Sequence, residues 1–293
     1  MELSAEQRHR ILRGCDGIVV TPDDDRPHVA ILVLSGSSGR IDQGRAHLLA
    51  AHGALATSVR WFGGPGQPPG ICEIPLETFT MIIDELVSHE VDHIAIIGIS
   101  KGAEAALLAA SIDPRIDTVV AISPSAVSWA NIGPGFDGRT TPWRSSWLWQ
   151  GNPVPFVPYD VSWQPKMAEP VAYRDLYEQS LETFPNEVSQ ATIRVEDTRA
   201  KLVLIAGGDD RLWPSVKFTE MLVARRRSVG LQVTTIIEES AGHRPWFPGE
   251  LEPALSPTRL YGGVRAADRS LGEQGWHTIG RHPWSSLLDQ QRS

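Results

Sequence analysis

Three groups of residues in this chain have the types and the order that covalent acyl chemistry needs. Ser100 stands in Gly98-Ile99-Ser100-Lys101-Gly102, the pair Asp209-Asp210 follows Gly207-Gly208, and His243 closes the run Glu238-Glu-Ser-Ala-Gly-His243. A serine hydroxyl is a weak nucleophile at its own pKa, so it needs an imidazole to take its proton. The imidazole in turn needs a carboxylate on its other nitrogen, to fix the tautomer and steady the cation. Serine, then acid, then histidine is the chain order of hydrolases whose nucleophile sits on a sharp strand-to-helix turn. Gly98 and Gly102 suit such a turn, because side chains on either side of its strained apex would collide. Asp209 and Asp210 share one loop, and either can serve a histidine on the next.

Something must carry these groups to one place. The apolar, β-branched run His93–Ile99 reads as a buried strand, and the Ala- and Leu-rich stretch after Ser100 reads as a helix. That geometry lifts the hydroxyl clear of the sheet edge and aims the first helical amides, that of Lys101 foremost, at a point where an oxyanion can be held. His28–Leu34 is a continuous apolar run of the kind buried on both faces of a sheet, and it ends in the small-residue loop Ser35-Gly-Ser-Ser-Gly39. Such a loop can turn its N–H groups toward an anion, and Ser38 is expected to give the other oxyanion amide. Further strands are predicted at Ala54–Trp61, Thr118–Ser123, Lys201–Ala206 and Gln232–Ile237, and helices at Gly44–His52 and Pro75–Glu90. The alternation implies a mostly parallel sheet covered by helices on both faces, with the reactive groups at the carboxyl ends of the strands. The segment before Arg26 opens with a short helical pattern and continues as the strand Gly17–Thr21, ended by Pro22, an edge hairpin in outline.

Composition changes at Pro124. From there to Asn186 the chain carries Trp129, Trp143, Trp147, Trp149 and Trp163, many prolines and one helical stretch, Tyr173–Phe184. Residues 125–190 are read as a cap inserted over the active site. Trp129, Trp143, Trp147 and Trp149 are expected, with Trp213 beside the acidic loop, to line an apolar pocket for an acyl chain.

With 293 residues and 41% hydrophobic content, the chain has material for one large α/β domain, read here as spanning 1–293. The net charge of -8 argues against a nucleic-acid partner. Arg225-Arg226-Arg227, the one basic cluster, reads as the solvated face of a helix. Cys15 and Cys72 have neither disulfide-framework nor zinc-site spacing. The first residues lack a signal-peptide layout, and no apolar run approaches the roughly 20 residues that span a bilayer, so no membrane partner and a cytoplasmic location are expected. Neither metal nor cofactor is required, since the base activates the serine.

The blocks Gly98-Ile-Ser-Lys-Gly-Ala-Glu104, Ile193-Arg-Val-Glu196, Gly208-Asp-Asp-x-x-Trp-Pro-Ser215, Gly242-His243 and Tyr261-Gly-Gly263 ahead of Trp276 carry a resemblance. From about Arg26 onward the chain resembles the C-terminal domain shared by acyl-CoA thioesterases and bile acid-CoA:amino acid N-acyltransferase, relatives of dienelactone hydrolase. The resemblance implies an α/β-hydrolase fold and a catalytic set of Ser100, Asp210 and His243, choosing Asp210 over Asp209. Lys101 then contributes its backbone amide, its side chain being incidental, and Glu104 either supports the elbow or is solvated. Two departures are visible: the N-terminal β-sandwich of the eukaryotic members has no counterpart in this sequence, and Ser100 stands where the N-acyltransferases carry cysteine. A serine ester is open to water, so hydrolysis of an acyl thioester, CoA-linked or carrier-bound, is the expected reaction. Transfer of the acyl group to an amine or alcohol, or lactone hydrolysis of the dienelactone type, are the alternatives.

Overall fold

The computed structural model describes residues 6–12, 14–23, 27–139 and 143–280. In chain order the elements are β1 (Glu6–Leu12), β2 (Cys15–Thr21), β3 (Val29–Leu34), α1 (Gln43–Ala50), β4 (Leu55–Val59), β5 (Ile74–Pro75), α2 (Glu77–Val87), β6 (His93–Ile99) and α3 (Lys101–Ile112). They continue as β7 (Thr118–Ile122), β8 (Trp147–Trp149), β9 (Asn152–Pro153), α4 (Arg174–Thr183), α5 (Pro185–Ala191), β10 (Lys201–Gly207), α6 (Ser215–Ser228), β11 (Thr234–Glu238) and α7 (Arg265–Gly280). Eight strands make one sheet in the order β1-β2-β4-β3-β6-β7-β10-β11. The pairs from β4 onward are parallel, while β1 and β2 form an antiparallel edge. This is the α/β-hydrolase arrangement, and the strand-helix alternation in the sequence leads to it.

Period-two alternation divides the sheet into two apolar faces. Ala30, Leu32, Leu34, Ile94, Ile96, Leu202 and Leu204 join one buried cluster with Phe79, Ile82, Ile83 and Leu86 of α2 and Phe218 and Leu222 of α6. Val29, Ile31, Val33, Ala95, Ile97, Val203 and Ile205 face the other way, toward Ala46 and Leu49 of α1 and Leu271 and Ile279 of α7. Strands buried on both faces can be apolar at every position, which is why they read as unbroken runs. Among the described residues no helix is long and apolar enough to cross a membrane.

Two expectations need correction. Residues 1–5 of the expected helical pattern lie outside the described residues, and from Glu6 on it is instead β1, which pairs with β2 from Glu6↔Thr21 to Leu12↔Cys15, so cross-strand pairing overrides the local propensity of Glu-Gln-Arg-His-Arg. Gly14, at φ 90°, supplies the reversal between the two strands. The Arg225–Arg227 cluster is not simply a solvated face. Arg226 is buried and donates to the carbonyls of Val195, Thr198 and Ala200, and Arg225 Nε donates to Glu196 at 2.8 Å; only Arg227 faces solvent.

Candidate active site

Ser100 occupies the junction of β6 and α3 with φ 58° and ψ −123°, a conformation few non-glycine residues adopt. The surrounding backbone holds it there: its amide donates to Ile122 O at 2.9 Å, and its carbonyl accepts from Ala103 and Glu104. Gly98 and Gly102 are required for a visible reason. A Cβ at Gly98 would run into the carbonyl of Gly102, and one at Gly102 would come 2.5 Å from the carbonyls of Leu34 and Ser35. The elbow therefore packs backbone to backbone, and the amide of Lys101, in the first turn of α3, is left without an intrahelical acceptor.

His243 and Asp210 meet across two other post-strand loops. His243 Nδ1 lies 2.7 Å from Asp210 Oδ2, with both side chains almost completely buried. Asp210 follows β10, and its second oxygen accepts from the amides of Leu212 at 2.8 Å and Trp213 at 3.1 Å. Ser215 Oγ donates to Oδ2 as well. A buried carboxylate that accepts this many hydrogen bonds is compensated for the water it has lost and is held in one orientation. Asp209 turns elsewhere, to Arg211 Nε at 2.5 Å and the Gly263 amide at 3.0 Å. Of the two acids, Asp210 is the one that reaches His243.

The imidazole is fixed on several sides. Its backbone N–H donates to Tyr261 O at 3.0 Å, its carbonyl accepts from Ser123 Oγ at 2.9 Å, and the Gly242 amide donates to Asp268 at 2.6 Å. Burial raises the pKa of Asp268. The Trp213 indole meets the imidazole edge to face at 5.6 Å, and Tyr261 stacks on it at 6.0 Å. With Nδ1 donating to Asp210, Nε2 is the basic nitrogen; it is buried and makes no hydrogen bond. Ser100 and His243 line the same cleft of about 680 Å³. The hydroxyl and Nε2 are not hydrogen-bonded to each other.

The walls of that cleft come from Ser35–Arg45 and from the irregular segment Arg244–Tyr261, not from the tryptophan-rich insertion. Ser38 lies on the wall and is exposed, whereas Gly36 packs against the elbow: a Cβ there would be 3.1 Å from Ser100 Cβ. Trp129, Trp147 and Trp213 are core residues instead of pocket residues. Trp147 stacks on Trp61 at 5.5 Å, Trp129 on Tyr159 at 5.8 Å, and the Trp213 Nε1–H donates to Ser123 O. Trp149 is half-buried and Trp143 exposed, both outside the cleft lining. Large rings buried this deeply are the most effective apolar filler available, and Trp129 and Trp147 tie the insertion into the core in this way.

The Lys101 side chain, expected to be incidental, is buried beside the elbow. Its Nζ lies 2.8 Å from both oxygens of Glu104 and 2.9 Å from Ser146 Oγ. Burial lowers the ammonium's pKa, against the attraction of Glu104. Glu104 also accepts from the Trp129 amide at 3.1 Å and from Trp147 Nε1 at 2.7 Å. Of the two roles open to Glu104, the structure takes the supporting one. Sequence reasoning gave no role to Ser215 or Tyr261, although both stand in the blocks that carry the resemblance, and it missed Asp268 and the rest of the Arg244–Tyr261 wall. Among the described residues no three His, Cys, Asp or Glu side chains converge as metal ligands would.

With the geometry in hand, likeness to known proteins becomes informative. The chain is 24% identical over 276 residues to the Homo sapiens protein Acyl-coenzyme A thioesterase 6, covering 88% of this chain and 60% of that one. It is 25% identical over 302 residues to the Mus musculus Acyl-coenzyme A amino acid N-acyltransferase 1, covering 93% and 64%. It thus spans about 60% of the length of these curated relatives. Among solved structures, a putative dienelactone hydrolase from Klebsiella pneumoniae subsp. pneumoniae superposes with a TM-score of 0.57 at 14% identity, over 94% of this chain and 96% of that one, a likeness of fold. The family model described as BAAT / Acyl-CoA thioester hydrolase C terminal matches residues 74–281, from the start of β5 to the end of α7, and the chain belongs to that family.

Proposed function

We propose that this protein is a serine-dependent hydrolase of acyl thioesters, CoA-linked or carrier-bound, working through an acyl-enzyme on Ser100. The observation that carries the reading is the 2.7 Å contact of His243 Nδ1 with the buried Asp210, on the cleft that also holds the strained Ser100. Ser100 Oγ attacks the thioester carbonyl while His243 Nε2 takes its proton, and Asp210 steadies the imidazolium. The tetrahedral oxyanion is held by the Lys101 amide and by an amide of the Ser35–Gly39 loop. The sequence reading gives that second role to Ser38, and Gly36 of the same loop packs against Ser100. Collapse breaks the C–S bond, and the departing sulfur receives the proton from His243. Water then attacks the serine ester with the same base, releasing the acid and restoring the hydroxyl.

The serine, glutamine and arginine side chains of the cleft make it accessible to water, which favours hydrolysis over transfer. Ser100→Ala is the test. Incubated with hexanoyl-CoA, the unaltered protein should release free thiol and hexanoate, and the variant should release neither and show no acyl adduct by intact mass. Full turnover by the variant would end the proposal. Adding glycine or taurine to the same assay reads acyl transfer directly, as an amide product.

A further inference from the structure

The cleft carries charge of the opposite sign to the rest of the chain. The net charge is -8, yet the cleft is lined by Arg40, Arg45, Arg244 and Arg259 against only Asp42 and Glu250. The two carboxylates are already engaged. Glu250 holds Arg45 in a two-pronged pair at 2.6 and 2.9 Å, and Asp42 caps α1 by accepting from the Arg45 amide. Arg40, Arg244 and Arg259 therefore face the cavity with no carboxylate partner among the described residues. Arg244 donates to Ala254 O at 2.8 Å and lies over the Tyr261 ring at 4.8 Å, which orients it without neutralising it. Burial lowers its pKa, Tyr261 acts against that, and the positive charge of Arg40 on the same cleft lowers it further. Cations focused in a cleft at the expense of their own repulsion are a device for drawing in and orienting an anion. The planar guanidinium matches carboxylate or phosphate oxygens in pairs.

We infer that Arg40, Arg244 and Arg259 form an anion subsite of the Ser100 cleft, so that the substrate carries a carboxylate or phosphate group beside its scissile thioester. The inference rests on the hydrolase reading above and deepens it. Two sources of that group share one chemistry: phosphates on the leaving group, and a carboxylate at the far end of the acyl chain.

Three thioesters separate them: hexanoyl-N-acetylcysteamine, with no charge, hexanoyl-CoA, with an anionic leaving group, and adipoyl-N-acetylcysteamine, with an anionic acyl end. The unaltered protein should prefer at least one charged substrate over the neutral one in kcat/KM by about tenfold or more. In the double variant Arg40→Gln/Arg259→Gln that ratio should collapse toward unity, and the substrate whose advantage disappears identifies the source. Arg227→Gln, on the exposed end of α6, should leave every ratio as it was. Equal turnover of all three by the unaltered protein, or a uniform loss in the double variant, would overturn the subsite. If no thioester is turned over at all, the hydrolase reading fails separately, and a binding readout remains. Free coenzyme A or adipate should protect Ser100 from labelling by a fluorophosphonate, and the double variant should lose that protection; lack of protection in the unaltered protein also overturns the subsite.

Discussion

Asp210 and Asp209 are neighbours in the chain and point to different partners: Asp210 to His243 Nδ1 at 2.7 Å, Asp209 to Arg211 Nε at 2.5 Å and the Gly263 amide. The two carboxylates therefore have separable effects. Asp210→Asn should lower kcat by about 10³- to 10⁴-fold with little change in KM, because the amide favours the wrong imidazole tautomer. Asp209→Asn should leave kcat within a fewfold of normal and show its effect as a lower urea midpoint. Steady-state kinetics of the two variants side by side is the check.

Glu104 offers a second prediction. Removing its charge as Glu104→Gln leaves the Lys101 ammonium buried with no counterion, which should cost about 3–5 kcal/mol of stability. Pairing it with Lys101→Met removes the stranded charge and should restore a large part of that loss, since the introduced amide still offers an acceptor to the Trp147 indole. Urea unfolding of the two single variants and the double variant, read as a double-mutant cycle, measures the coupling.

Trp147 and Leu251 should differ in kind. Trp147→Phe withdraws the indole N–H from Glu104 and should lower stability by about 1–3 kcal/mol without altering the order of preference among acyl chain lengths. Leu251, 94% exposed on the cleft wall, is the better candidate for touching substrate. Leu251→Ala should raise KM for longer acyl chains and leave the thermal midpoint unchanged. Kinetics across a chain-length series, beside a melting curve, separates the two.

The pair Glu196–Arg225 gives a pH dependence with a definite sign. The Arg225 hydrogen bonds hold the Glu196 carboxyl below its ordinary value. A lowered folded pKa means that the pair's stabilisation is fully present above the ordinary glutamate value of about 4.3. It fades as pH falls through the lower folded value. Glu196→Gln should therefore flatten the acid side of a stability-against-pH curve and leave its shape near pH 8 unchanged, as urea unfolding between pH 3 and 8 would report.

The strands and the elbow turn were legible because both obey local rules. His28–Leu34 and His93–Ile99 are unbroken apolar runs, and Gly-x-Ser-x-Gly needs its glycines for a clash that any side chain would cause. Trp129, Trp147 and Trp213 were misread because a sequence shows that a ring must be covered, not by what. A pocket and a core ask for the same residue, and only the chain path tells them apart. The cleft wall Arg244–Tyr261 was missed for the opposite reason. It has no period and many prolines, and what gives it meaning is Arg45 reaching across 205 positions of sequence to Glu250. Choosing Asp210 over Asp209 was within reach of a family pattern, but not of spacing alone, since the two differ by a single residue on one loop.

Glu104 binds Lys101 on its own helix and Trp129 and Trp147 from the insertion, and the helix it sits on begins at the nucleophile. Such a joint makes the segments around Trp129 and Trp147 a splint for the elbow, not a detachable cover. Shortening it, or grafting in the equivalent stretch of a relative, would slacken the turn that presents the hydroxyl. Sequence change in the proline-rich rim after His243 acts on the cleft wall, through Glu250, Arg259 and Tyr261, and leaves this joint beside Ser100 untouched.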